Sequence, residues 1–225
     1  MSTRLDFEQV QVQAAGEVSQ GDSLATFYRR AGKRFFDLAL AIPLLIIAAP
    51  IILVLAVAVV LASGPGPFYG SVRVGRNGKF KMLKLRTMVR DADKVLEQWR
   101  RAHPELAAMY EQDFKLADDP RVTWLGKMLR RTSLDELPQL WNVIVGDMSL
   151  VGPRPVNEDE LRKYGAMAQE LLTVKPGLTG RWQIGGAARV PYPERTHIEI
   201  GYCRRLSFWD DLRILLITLA APFRW

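Results

Sequence analysis

Cysteine and histidine are nearly missing from this chain of 225 residues. Cys203 stands alone, which excludes an intramolecular disulfide framework and suits a reducing compartment. His103 and His197 are the only histidines, so with one cysteine there is no His/Cys cluster of the zinc type. Any metal must be a hard ion held by carboxylates. Repeats and low-complexity tracts are also lacking, and the length suits one domain with a sizeable core plus a smaller appendage.

Charge is missing from one long stretch. Leu38 to Ala62, "LALAIPLLIIAAPIILVLAVAVVLA", holds 25 residues without an ionisable side chain. As a straight helix it would reach roughly 37 Å, more than the ~30 Å hydrocarbon core of a bilayer. The run is too long and starts too late for a secretory signal peptide. Pro43 and Pro50 each remove a backbone donor and crowd the preceding turn, which predicts a sharp bend, most plausibly at Ala49-Pro50. Both flanks are basic: Arg29, Arg30, Lys33 and Arg34 before, then Arg73, Arg76, Lys79, Lys81, Lys84, Arg86 and Arg90 after. Positive residues favour the cytoplasmic side, so basic flanks at both ends are at odds with a simple crossing. A kinked span and a re-entrant helix that leaves by the leaflet it entered both remain open on these residues.

Elsewhere charge is plentiful: 31 basic and 24 acidic residues leave +7 at neutral pH, which suits a polyanionic partner. The basic residues gather beside the apolar segment rather than along a recognition element, which disfavours nucleic acid. Residues 1–28 read as a mobile polar tail, 29–64 as the membrane segment and 65–225 as the main domain. Alternation around Asn77-Gly78 predicts a hairpin over Phe68 to Met88, turning at those two residues and carrying a basic face. Such a face also serves as a charged edge that resists aggregation. Helical spacing follows from Asp91 to Pro104, then toward Lys115, over Val122 to Arg131, and over residues 157–173. The terminal "SFWDDLRILLITLAAPFRW" is too short to cross a bilayer and suits an interfacial helix or a core helix about equally.

In "RRTSLDELPQL", Asp135 and Glu136 stand side by side. Ser133 and Glu136 have the spacing of a capping box, but Pro138 would then fall inside the helix at a position needing its N–H. Starting the helix at Asp135 avoids this, placing both carboxylates at its mouth with Leu137, Leu140, Trp141 and Ile144 as the buried face. A helix mouth with free N–H groups, and Arg130 one turn before, suits a bound phosphate. Arg154 lies between Pro153 and Pro155, which restrict the backbone around one guanidinium, as a bidentate phosphate clamp requires; a structural salt bridge is the alternative. Together these residues suggest phosphoryl-type chemistry at a membrane surface, with carboxylates as nucleophile and magnesium ligand and cations on phosphate oxygens.

The string "DDPRVTWLGKMLRRTSLDELPQLWNVIVGDMSLVGPRPV", with "KLRTM" before it and "KPGLTGRWQI" after it, resembles the bacterial sugar transferases. These are monotopic phosphoglycosyl transferases that begin exopolysaccharide, capsule or O-antigen assembly, and the likeness covers about residues 30 to 220. It implies an α+β, mostly helical fold. A membrane-embedded re-entrant helix broken at Pro50, a small β-hairpin and interfacial amphipathic helices would surround the active site. Asp135 would attack the β-phosphate of a UDP-sugar and release UMP. Undecaprenyl phosphate would then take the sugar phosphate from the covalent adduct. The resemblance makes Glu136 the magnesium ligand and Lys84, Arg130 and Arg154 phosphate-holding cations. Galactose or glucose is the implied sugar, and the cytoplasmic face of the bacterial inner membrane, in contact with membrane lipid, the implied location; a homodimer is compatible with this. The chain has Ala187 where the family carries an arginine nearby, and Glu199 where it carries aspartate. Two other functions fit the bare residues. A non-catalytic scaffold on anionic lipid would tolerate loss of Asp135, and a magnesium-dependent phosphohydrolase would release free sugar phosphate without a lipid acceptor.

Overall fold

The computed structural model describes residues 27–103, 119–184 and 194–220. The polar tail up to residue 26, the continuation toward Lys115, Ala187 and the terminal Trp225 lie outside them. What is described is mostly helical with a small β-hairpin, as expected. Helix α1 (Lys33–Ser63) leads into β1 (Phe68–Gly75) and β2 (Gly78–Leu85). Helices α2 (Ala92–Ala102) and α3 (Trp124–Thr132) follow, then a 3-10 turn at Leu134–Glu136 and α4 (Gln139–Val145). Strand β3 (Ser149–Val151), short helices α5 (Glu158–Arg162) and α6 (Ala168–Leu171), and β4 (Gly177–Thr179) come next. The chain continues through α7 (Arg181–Ile184), α8 (Glu194–Arg204) and α9 (Phe208–Ala220).

Helix α1 is assigned without interruption through Pro43 and Pro50. Among the described residues it belongs to the single helix long and apolar enough to cross a membrane. Ile46, Ile47, Leu53, Val54 and Leu61 are each at least 67% exposed, an apolar surface that water would not tolerate as a contiguous patch.

The chain separates into two compact units. One comprises residues up to 47, 70–83 and 139 onward. Its frame is β3 paired in parallel with β4, Ser149 opposite Gly177 and Val151 opposite Thr179. Gly152 and Gly177 allow this contact, because a Cβ on Gly177 would lie 2.0 Å from the Gly152 nitrogen. Around the pair lie Met148, Leu150, Tyr164, Ile200, Tyr202 and Ile214, all buried. Buried charge roots the first turns of α1 here. Asp211, fully buried, accepts from Lys33 at 2.6 Å and from the hydroxyls of Tyr28 and Tyr202 at 2.6 and 2.7 Å. Asp37 accepts from the Ser149 hydroxyl and the Leu150 N–H at 2.9 and 3.0 Å. The Asn142 side chain accepts from Leu83 N–H and donates to the Lys81 carbonyl, so one amide serves β2 as a strand neighbour would.

The other unit comprises residues 48–69 and 84–138. Ala56 and Val59 of α1 pack with Leu85, Leu125 and Leu129. Each Leu or Val buried in this way contributes roughly 1.5–3 kcal/mol. The carbonyls at the end of α1 have no partner within the helix. Arg86 supplies one, donating to the carbonyls of Ser63, Gly64 and Pro65 at 3.0, 2.5 and 2.7 Å.

Four local expectations are corrected. The hairpin turns at Arg76-Asn77, and the positive φ falls on Gly78 (104°) rather than on Asn77, since glycine takes that conformation without a Cβ clash. The helix over 157–173 is broken, because Gly165 adopts φ 53° between α5 and α6. Third, no α-helix starts at Asp135. Ser133 takes a left-handed conformation (φ 55°) that ends α3, Leu134–Glu136 form one 3-10 turn, and α4 begins only after Pro138, whose missing N–H is harmless there. Neither the Ser133 capping box nor an Asp135 helix mouth is formed. Fourth, the buried face of α4 is Gln139, Leu140, Asn142 and Val143, while Trp141 is 52% exposed. The amide pairing of Asn142 with β2 turns that face inward, and an apolar count misses it.

Candidate active site

Four of the five sequence-predicted site residues come together in the unit that holds residues 84–138. Lys84 stands near the end of β2, Arg130 in the last turn of α3, and Asp135 and Glu136 in the 3-10 turn. The left-handed Ser133 redirects the chain at the end of α3, so the two carboxylates follow Arg130 at once. Lys84 Nζ lies 2.6 Å from Glu136 Oε1 and 3.8 Å from Asp135 Oδ2.

Thr87 is the residue that sequence reasoning missed here. Its hydroxyl accepts from Arg130 Nε at 2.9 Å, and its carbonyl accepts from the Thr123 N–H at 3.1 Å. Thr123 also caps α3, accepting from the Gly126 N–H at 2.9 Å. Gly126 is required in this arrangement, because a Cβ there would sit 2.0 Å from the Thr87 carbonyl oxygen. The signal was present in "KLRTM", which carries Lys84 and Thr87 three residues apart.

Asp135 is 6% exposed and Glu136 is half-buried. Burial pushes the Asp135 carboxyl above its ordinary range. Lys84 opposes that shift, the Glu136 charge adds to it, and Arg130 and Asp135's own backbone N–H oppose it. The nearest cation to Asp135 stands at ion-pair rather than hydrogen-bond distance. An ionised Asp135 is thus a desolvated, lightly engaged carboxylate.

Adjacent carboxylates offer hard oxygens to magnesium, which binds through one or two of them and completes its shell with water and substrate phosphates. No group of three or more metal-ligating side chains occurs among the described residues. The pair Asp135–Glu136 therefore fits an ion shared with phosphate and not a closed protein cage.

Arg154, the fifth expected residue, belongs to the other unit. Its guanidinium lies 5.2 Å from the centre of the Trp182 ring, while the nearest carboxylate, Glu160, stands 4.0 Å away. Stacking, more than a tight salt bridge, fixes it. Glu199 is buried in the same unit and accepts from Tyr164 at 2.6 Å and Arg195 at 3.2 Å.

Residues 28–224 match the bacterial sugar transferase family, and the chain belongs to it. A UDP-galactose-lipid carrier transferase of Erwinia amylovora is 45% identical over 204 residues, covering 90% of this chain and 43% of that protein. Undecaprenyl-phosphate galactose phosphotransferase of Salmonella typhimurium is 44% identical over 204 residues, with the same two shares. The exopolysaccharide production protein ExoY of Rhizobium meliloti is 45% identical over 190 residues, 84% of each chain. The chain thus spans less than half the length of the first two relatives and most of the third.

Proposed function

We propose that the chain is a phosphoglycosyl transferase that moves a sugar 1-phosphate from a UDP-sugar to undecaprenyl phosphate and so begins exopolysaccharide or related glycoconjugate synthesis. The observation that carries this is the buried Asp135 beside Glu136 and Lys84. Relatives named for galactose and glucose transfer to lipid carriers support a donor of one of those sugars.

In the first step an Asp135 carboxylate oxygen bonds to the β-phosphorus of the donor. The bond from that phosphorus to the bridging oxygen breaks, and UMP leaves with the electron pair. In the second step a phosphate oxygen of the lipid carrier attacks the same phosphorus, and Asp135 returns as carboxylate. Lys84 and Arg130 would offset the charge that collects on the phosphate oxygens, while a phosphate-holding role for Arg154 rests on the family resemblance alone. Glu136 would hold magnesium, which when bound would neutralise diphosphate charge and orient the donor. Using one nucleophile in two steps lets a water-soluble donor and a greasy acceptor visit in turn.

The exposed apolar surface of α1 supports a place in the bilayer, and Pro50 in its middle with basic flanks at both ends supports re-entry from the cytoplasmic face. Exposed Trp124 and Met128 on α3, next to Lys127 and Arg131, and Trp209 on α9 suit helices lying at the interface.

Incubating the membrane-embedded chain with UDP-galactose or UDP-glucose and magnesium, without acceptor, should add one hexose-phosphate mass to the peptide containing Asp135. An adduct on another residue, or release of free hexose phosphate by water at the full rate, would refute the assignment.

A further inference from the structure

Helix α3 has no side chain at Gly126 and a guanidinium one turn later at Arg130. Residues four apart share a helix face, and helical side chains lean back toward the N-terminus, so the absent side chain leaves room beside Arg130. Thr87 fills that room. A Cβ on Gly126 would meet the Thr87 carbonyl oxygen at 2.0 Å and its Cα at 2.9 Å. With its backbone this close, the Thr87 hydroxyl accepts from Arg130 Nε at 2.9 Å.

Little freedom is left to that hydroxyl. Thr87 is 7% exposed, and its carbonyl accepts from the Thr123 N–H. On either side of it the Arg86 N–H donates to the Pro67 carbonyl at 2.7 Å and the Val89 N–H to the Arg121 carbonyl at 2.9 Å. A β-branched side chain also has few rotamers to choose from. Arg130 is the opposite case, exposed and open. Among the described residues it makes no ion pair, and its two terminal nitrogens make no hydrogen bond.

A guanidinium meets phosphate side-on, through Nε and one terminal nitrogen, or end-on, through both terminal nitrogens. Occupying Nε removes the first mode and leaves the second. It also restrains the plane of the fork, which a free surface arginine would turn about its last bonds. An arginine that only offset the dipole at the end of α3 would gain nothing from a restrained plane.

We propose that Thr87 is a positioning residue for the transfer reaction: by holding Arg130 Nε, its hydroxyl sets the guanidinium to meet a donor phosphate end-on. This rests on the reading that Arg130 binds a phosphate of a UDP-sugar.

The full chain in lipid nanodiscs is compared with Thr87→Val and Thr87→Ala, which lack the hydroxyl, and with Thr87→Ser, which keeps it. The hydroxyl-free variants are also combined with Arg130→Lys, which retains the charge without the planar fork. UMP release from UDP-glucose and UDP-galactose, with undecaprenyl phosphate present, gives kcat/KM for the donor. Thr87→Val and Thr87→Ala should each lower it about tenfold, the loss expected for one hydrogen bond to a charged group, and Thr87→Ser should stay within about threefold of the parent. Arg130→Lys should fall at least as far as Thr87→Val. Beside it, removing the hydroxyl should cost less than about twofold more, because no fork is left to orient. A contact that only supports packing would subtract its full effect in both backgrounds. The proposal is overturned if the hydroxyl-free variants match the parent, if Thr87→Ser loses as much as they do, or if Arg130→Lys keeps full activity. It is overturned equally if their loss persists undiminished beside Arg130→Lys. No UMP release by the parent from any UDP-sugar would instead remove the reading on which it rests.

Discussion

Two buried aspartates, one in each unit, show how the same side chain is used in opposite ways. Asp211 is fully buried, and its oxygens take one ammonium and two phenol hydroxyls at 2.6–2.7 Å. Asp135 is nearly as buried, yet its nearest cation stands 3.8 Å away. The first charge is saturated and can only hold the fold together. The second is desolvated without being saturated, which is what a nucleophile needs and what stability opposes. The difference lies in the supply of donors around each carboxylate more than in depth.

Exchanging each acid for its amide should separate the two roles. Asp135→Asn is expected to lower turnover at least about a thousandfold, since the proposed mechanism has this carboxylate form the bond to phosphorus. Its folded carboxyl titrates above the unfolded value, so ionising it costs stability as pH rises from the unfolded pKa through the folded one. Asp135→Asn should therefore melt no lower than the parent at neutral pH, as thermal unfolding would show; a clear loss would make Asp135 structural. Asp211→Asn should do the reverse. It strands the Lys33 ammonium in the core at a cost of about 3–5 kcal/mol, read as a large fall in melting temperature.

A smaller effect sharpens the contrast inside the candidate site. Gly126→Ala pushes a methyl against the Thr87 carbonyl and should cost about 1–3 kcal/mol by thermal unfolding. Smaller still, Lys84→Gln removes the strongest influence holding the Asp135 carboxyl down. With Asp135 as the proposed nucleophile the active form is the carboxylate, so activity should fall as pH drops through its pKa. In Lys84→Gln that acid limb should move to higher pH in a profile of UMP release. An unmoved limb would mean that Lys84 does not sense Asp135.

Much of this was legible in the chain. The uncharged run, the hairpin and the grouping of Arg130, Asp135 and Glu136 follow from residue types and spacing, whereas Lys84 joined them only through the family resemblance. What escaped was non-local or polar. Strands β3 and β4 have three residues each, too few for a period of two to register, and they pair across a 25-residue excursion. Helix α8 buries Arg195, Thr196 and Glu199, so no apolar stripe announces it. Lys33, Asp37 and Asp211 read as surface charge until their partners are known. The Ser133 conformation, which decides how the two carboxylates are presented, leaves no mark in composition because serine takes it only under constraint.

Arg86 clasps the final carbonyls of α1, and Lys84, two residues earlier on the same stretch of chain, reaches toward the two acids. One short length of backbone is therefore both hawser and instrument arm. A tug on the greasy helix at its mooring would travel along it to the ammonium that tempers Asp135.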